Sequence, residues 1–200
     1  MANVVLHLPT QRYDAFIFDC DGTLVDSMPL HFRAWRKALA QSGAPFDFTW
    51  ELFQSRAGMG LPQTVVALNE QFRASLDPAT VVREQQGIYD ALLDELQPIA
   101  PVEEFARKVA LSAQVSVASG GGRGHVTRSL LVTGLAPLFQ VVVTQDDVTR
   151  GKPDPEMFLL AAERMGVSAR RCLVLEDSPL GLQAARAAGM GTAWVEHLPA

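Results

Sequence analysis

The sequence predicts an α/β protein: a parallel sheet with helices on both faces, interrupted by an inserted helical block. Three observations lead there. From Val102 onward, short apolar runs alternate with stretches of helical spacing, the pattern of parallel strands joined by right-handed helical crossovers. Apolar runs end in polar or acidic residues, as at Asp19, Ser119 and Glu176. Residues 28–100 are helical in pattern and lie between the first and second confident strands, too long a stretch for a crossover.

Val4 to Leu8 is a short apolar stretch stopped by Pro9, to which no element is assigned. Ala15 to Asp19 is the first strand. Met28, Phe32, Trp35 and Leu39 then recur at helical spacing, with Pro29 where a first turn tolerates it and Gly43 as terminator. Thr49 caps a short helix containing Trp50, Leu52 and Phe53, and Gly58 with Gly60 marks a turn. Pro62 to Ala74 places Val65, Leu68 and Phe72 on one face. Asp77 and Pro78 open a helix through Leu93, despite a cost of about 1 kcal/mol at Gly87. Pro98 and Pro101 punctuate a return linker. The remaining elements are helices at Val102–Leu111, Gly124–Val132, Pro155–Met165 and Pro179–Ala188. Strands are expected at Gln114–Ala118, Val141–Thr144, Cys172–Leu175 and Thr192–Val195.

Composition narrows the function classes. The 48% apolar and 20% charged balance can bury a proper core, and a net charge of −5 with no basic block disfavours nucleic acid or an anionic membrane as partner. No window approaches the roughly 20 apolar residues of a membrane span. The N-terminal segment lacks the positive region and apolar length of a signal peptide. A cytoplasmic protein, monomeric or weakly dimeric, is expected. Its two cysteines, Cys20 and Cys172, are read as reduced thiols.

The chemistry centres on Phe16 to Ser27, FIFDCDGTLVDS. Asp19 and Asp21 stand two apart in an extended segment, so both carboxylates can address one bound group. Gly22 lets the chain leave the strand tightly. An isolated Asp-x-Asp is ordinarily a solvated turn; here an apolar strand precedes it and three further stretches fit the same chemistry. Ser119 ends a strand and Gly120, Gly121 and Gly122 follow, a loop able to bind a phosphate oxygen or simply to flex. The Gly-Lys-Ser/Thr ending of a nucleotide-binding loop is absent. Lys152 sits in Gly-Lys-Pro-Asp-Pro, where the prolines stiffen the chain around it. Glu176 and Asp177 leave another strand end, where adjacent acids need a cation or donors to compensate them, although Asp177 or Ser178 could also cap a helix. These acids beside one lysine suit a hard cation with oxygen ligands, Mg²⁺ above all.

With the four stretches in order, the chain resembles the haloacid dehalogenase-like superfamily, closest in look to its β-phosphoglucomutase-like and fructose-1-phosphate phosphatase-like members. That resemblance implies a Rossmann-like core at residues 1–27 and 101–200, with a helical cap at 28–100. It implies that Asp19 attacks phosphorus to form an aspartyl-phosphate and that Asp21 serves as acid and then base. Ser119, Gly120 and Lys152 would bind the phosphoryl group. Mg²⁺ would be held by Asp19, the Asp21 backbone carbonyl and Asp177, with Glu176 as ligand or behind one. The substrate would be a small phosphorylated metabolite, such as a sugar phosphate. LHFRAW, from Leu30, is similar to the start of the cap and makes His31 a candidate for contacting substrate or acid/base; a locally satisfied helix residue is the alternative. Mutases of this look carry Ser-Arg near Gly60–Leu61, and the arginine holds a second phosphate. Leu61 breaks that pattern, with Arg56 nearby as a substitute, so a phosphatase is expected ahead of a phosphomutase or an idle binding protein on the same fold.

Overall fold

The computed structural model describes residues 3–56 and 59–198. Ala57 and Gly58 fall outside them, so the turn expected at Gly58 lies outside the described residues. The chain divides into two compact units, Met1–Asp26 with Leu96–Ala200, and Ser27–Glu95.

The first unit is built on a six-stranded sheet: β1 (Val4–His7), β2 (Ala15–Phe18), β3 (Gln114–Ala118), β4 (Val141–Val143), β5 (Cys172–Glu176) and β6 (Gly191–His197), in the order β1-β6-β5-β2-β3-β4. β2 to β6 are mutually parallel, with Phe18 opposite Val117 on one side and Leu175 on the other. The stretch from Val4, to which the sequence assigns no element, is an edge strand antiparallel to β6, with Val4 opposite His197. The sheet is therefore mixed. Four residues of edge strand hold too few alternations to be recognised without their partner, which lies at the far end of the chain.

Period-two alternation sorts β2 between two helical layers. Ala15 and Ile17 join the core formed by α7 (Glu156–Met165) and α8 (Pro179–Ala187), with Met157, Phe158, Ala184 and Ala185. Phe16 and Phe18 meet Phe105 of α5 (Ala100–Ala110) from the other side, at ring separations of 5.5 and 6.4 Å. Helix α5 begins at Ala100, not Val102, because Pro101 fits its first turn. Pro98, expected in a linker, forms an isolated bridge with Val25. Glu176 is the last residue of β5, opposite Trp194, where the sequence reading ends the strand at Leu175.

The second unit contains α1 (Met28–Gln41), α2 (Trp50–Gln54), α3 (Leu61–Phe72) and α4 (Pro78–Leu92). Trp35, Leu39, Phe48, Val65, Leu68 and Val81 form its core. Thr49 and Asp77 cap α2 and α4, accepting from the backbone N–H of Leu52 and Thr80, and α4 runs unbroken through Gly87. Among the described residues no helix is long and apolar enough to cross a membrane. Cys20 and Cys172 are both free and buried.

Asp147 ties the turn after β4 to two helices. Its Oδ2 accepts from the Thr144 backbone N–H and hydroxyl at 2.8 and 2.9 Å and pairs with Arg123, while Oδ1 accepts from Arg164 at 3.0 Å. Burial opposes its charge, but the Thr144 N–H, Arg164, the Thr144 hydroxyl and Arg123 together hold its pKa down at about 2. A carboxylate depressed below its unfolded value of about 3.9 contributes stability that is complete above pH 4 and is lost as pH falls toward 2. Asp147→Asn should therefore lower Tm by roughly 3 °C at pH 6, with the gap from wild type closing below pH 4. A gap of constant size across that range in thermal denaturation would show that the charge contributes nothing.

Candidate active site

Asp19 immediately follows β2, Ser119 immediately follows β3, and Glu176 and Asp177 stand at the end of β5. All lie at the carboxyl ends of parallel strands. The chain passes from β2 to β3 on one side and returns to β5 on the other, so β2 and β5 flank the crevice where strand order reverses. Backbone bonds keep the strand ends in register: Asp19 N–H donates to Leu175 O, and Ser119 N–H to Val143 O, both at 3.0 Å.

Lys152 joins two of these ends. Its Nζ donates to Asp19 Oδ1 at 2.6 Å and to Glu176 Oε1 at 2.7 Å, and lies 5.1 Å from the centroid of the Phe158 ring. The loop that aims it is fixed by its neighbours. The Lys152–Pro153 peptide is cis, Asp154 N–H donates to Gly151 O, and Glu156 accepts from the backbone N–H groups of Thr149 and Arg150. Both Glu176 oxygens are engaged, since Oε2 accepts from Ser178 N–H at 2.5 Å. The carboxylate fits because Gly181, in the first turn of α8, has no side chain: a Cβ there would stand 1.7 Å from Glu176 Oε1.

Asp177 Oδ1 accepts from the Thr23 hydroxyl at 2.8 Å. Gly22, at φ +84°, turns the chain out of the strand, and a Cβ on it would lie 2.3 Å from Asp177 Oδ2. Ser119 is buried, its hydroxyl accepting from Gly121 N–H at 3.1 Å; Gly120 beside it is exposed. The structure thus gathers Asp19, Lys152, Glu176 and Asp177 into one cluster, with Asp21 and Ser119 on the same strand-end loops. The other two candidates belong to the second unit. There His31 stacks on Tyr89 at 3.9 Å, with Gln85 Nε2 at 3.4 Å from its Nδ1, and Arg56 donates to Gln71.

The electrostatics of the cluster are unbalanced. Burial, followed by the charges of Glu176 and Asp21, pushes the Asp19 pKa up to about 7 even though Lys152 draws it down. Burial, Asp19 and Glu176 likewise raise Asp177. Burial works against the Lys152 charge, but Asp19 and Glu176 outweigh it and hold the ammonium firmly protonated. Three carboxylates facing one ammonium leave two negative charges when all are ionised. An all-oxygen donor set with that excess fits a hard divalent cation.

Two histidines escape the sequence reading. His125, in the first turn of α6 (Arg123–Val132), lies 3.2 Å through Nε2 from both oxygens of Asp21. His197, at the end of β6, donates from Nε2 to Gly22 O at 2.6 Å. A signal existed for His125, because the helix after a strand-end loop starts at the ligand side of such a sheet. None existed for His197.

A family model described as haloacid dehalogenase-like hydrolase matches residues 13–189. A fructose-1-phosphate phosphatase of Escherichia coli is 36% identical over 182 residues, covering 90% of this chain and 95% of that protein. A phosphorylated carbohydrates phosphatase of Thermotoga maritima is 32% identical over 181 residues, covering 88% and 82%. Among solved structures, a haloacid dehalogenase-like protein of Agrobacterium tumefaciens aligns with a TM-score of 0.79 at 30% identity, covering 90% of this chain and 81% of the other. On the match of the family model over residues 13–189, and on a relative 36% identical over nine tenths of the chain, this chain belongs to the haloacid dehalogenase-like hydrolase family.

Proposed function

We propose that the protein is a Mg²⁺-dependent phosphatase of phosphorylated carbohydrates, fructose 1-phosphate or an ester like it, working through an aspartyl-phosphate. The observation that carries this reading is the Lys152 ammonium, bonded at once to Asp19 and Glu176 across neighbouring strand ends. A buried carboxylate held beside a fixed cation is an oriented nucleophile next to a group that can take phosphoryl oxygens.

An Asp19 carboxylate oxygen bonds to phosphorus while the ester P–O bond breaks. The departing sugar oxygen takes the proton of the Asp21 carboxyl group. Water then attacks the phosphorus of the aspartyl-phosphate, giving its proton to the Asp21 carboxylate, and the bond to Asp19 breaks to release inorganic phosphate. Lys152 and the Ser119 loop stabilise the charge on the phosphoryl oxygens. Asp19, Asp177 and the Asp21 carbonyl would hold Mg²⁺, which would offset the negative charge of the bound phosphoryl group. Glu176, expected as a ligand or behind one, has both oxygens occupied, and we assign it to aiming Lys152. The helical unit Ser27–Glu95 is read as the cap, with His31 and Arg56 as its substrate candidates.

A phosphatase is favoured over a mutase because Leu61 offers no clamp for a second phosphate and Arg56 is bonded to Gln71. The test is phosphate release from a panel of sugar phosphates with Mg²⁺ and with a chelator. Release from at least one ester, falling roughly 100-fold or more on chelation and restored by Mg²⁺, is expected. Conversion of glucose 1-phosphate to glucose 6-phosphate faster than phosphate release, given a bisphosphate activator, overturns the phosphatase reading.

A further inference from the structure

The reading of Asp21 as acid and base leaves His125 without a task, and this inference rests on that reading. We propose that His125 is a positioning residue for Asp21, holding its carboxylate in the orientation from which it protonates the departing sugar oxygen. His125 Nε2 stands 3.2 Å from Oδ1 and 3.2 Å from Oδ2, astride the carboxylate. A single donor placed symmetrically before both oxygens sets the direction in which the carboxylate points, and so restrains the torsion about the Asp21 Cα–Cβ bond.

The rest of the geometry supports a built contact. The Asp21 backbone is held in the tight turn in which Gly22 N–H donates to Val25 O at 2.9 Å. The start of α6 is pinned by Asp146, whose Oδ2 accepts from Arg123 N–H at 2.8 Å. Gly121, in the loop that leads into α6, leaves room for the imidazole. A Cβ on Gly121 would lie 3.1 Å from His125 Cδ2, closer than side chains ordinarily pack. Both partners are largely sheltered, with 22% and 19% of their side chains exposed, so the contact is not a solvated surface pair.

A positioning role has a signature that a purely structural role lacks. A sugar alkoxide is a poor leaving group and needs the proton of Asp21; 4-nitrophenolate is a good one and leaves without it. The parameter kcat/KM covers the steps up to departure of the alcohol, so attack by water does not enter. His125→Phe keeps a ring and loses the donor, and His125→Gln returns an N–H near the Nε2 position. In His125→Phe, kcat/KM for fructose 1-phosphate should fall roughly 10- to 100-fold. For 4-nitrophenyl phosphate it should change less than about threefold, because general-acid help contributes little there. His125→Gln should recover most of the loss. Equal losses on both esters, or no loss on either, overturn the inference while leaving the phosphatase reading intact. Wild-type protein that releases phosphate from no ester of the sugar-phosphate panel overturns both.

Discussion

Asp19→Asn should lower phosphate release by on the order of 10⁴-fold or more while leaving the fold in place. Asparagine matches the shape of aspartate and can still accept from Lys152, so Tm and circular dichroism should change little. What disappears is the oxygen nucleophile. An amide cannot form the aspartyl-phosphate, and Glu176, the other carboxylate on Lys152, is held by Lys152 and Ser178. The covalent step can be read without turnover: beryllium trifluoride with Mg²⁺ should give bound ¹⁹F resonances with wild type and none with the variant. A mass-verified Asp19→Asn preparation retaining a tenth of wild-type turnover would remove Asp19 from the mechanism.

Lys152→Met should cost activity and stability together. Methionine keeps the length of the side chain and its packing beside Phe158, but leaves Asp19 and Glu176 without their shared ammonium. Loss of a preorganised charge at the phosphoryl oxygens predicts a drop in kcat of roughly 10²- to 10³-fold. The lysine side chain is 11% exposed and that of Glu176 1%, so the pair is buried. Removing one partner of a buried pair costs about 3–5 kcal/mol, which in a chain of this size lowers Tm by roughly 10 °C. Lys152→Arg separates the two effects. It returns the charge and with it much of the Tm, while its planar fork cannot reproduce a point donor reaching both oxygens, so kcat should stay at least about tenfold low. Wild-type kcat in Lys152→Met would reduce Lys152 to a structural counter-ion.

The glycines show where sequence and tertiary structure share the work. Gly22 and Gly181 are legible as turn and helix-start residues. That their missing side chains make room for Asp177 and Glu176 is visible only once β2 and β5 lie side by side. The same division applies to Asp19, Ser119, Glu176 and Asp177. Each follows or ends an apolar run, so the sequence alone determined that these groups stand at strand ends, and the parallel crossovers determined that the ends face one way. Those are local properties, set by spacing, β-propensity and the length of the helices between strands. The tertiary structure decided which groups touch: Lys152 with both Asp19 and Glu176, Thr23 with Asp177, His125 with Asp21, and β1 with β6. The paired residues lie from 24 to 193 positions apart in the chain. No local pattern encodes such pairs, because they follow from strand order and register, which are settled by the burial of Ile17, Val143, Phe158 and Val174 in one shared core.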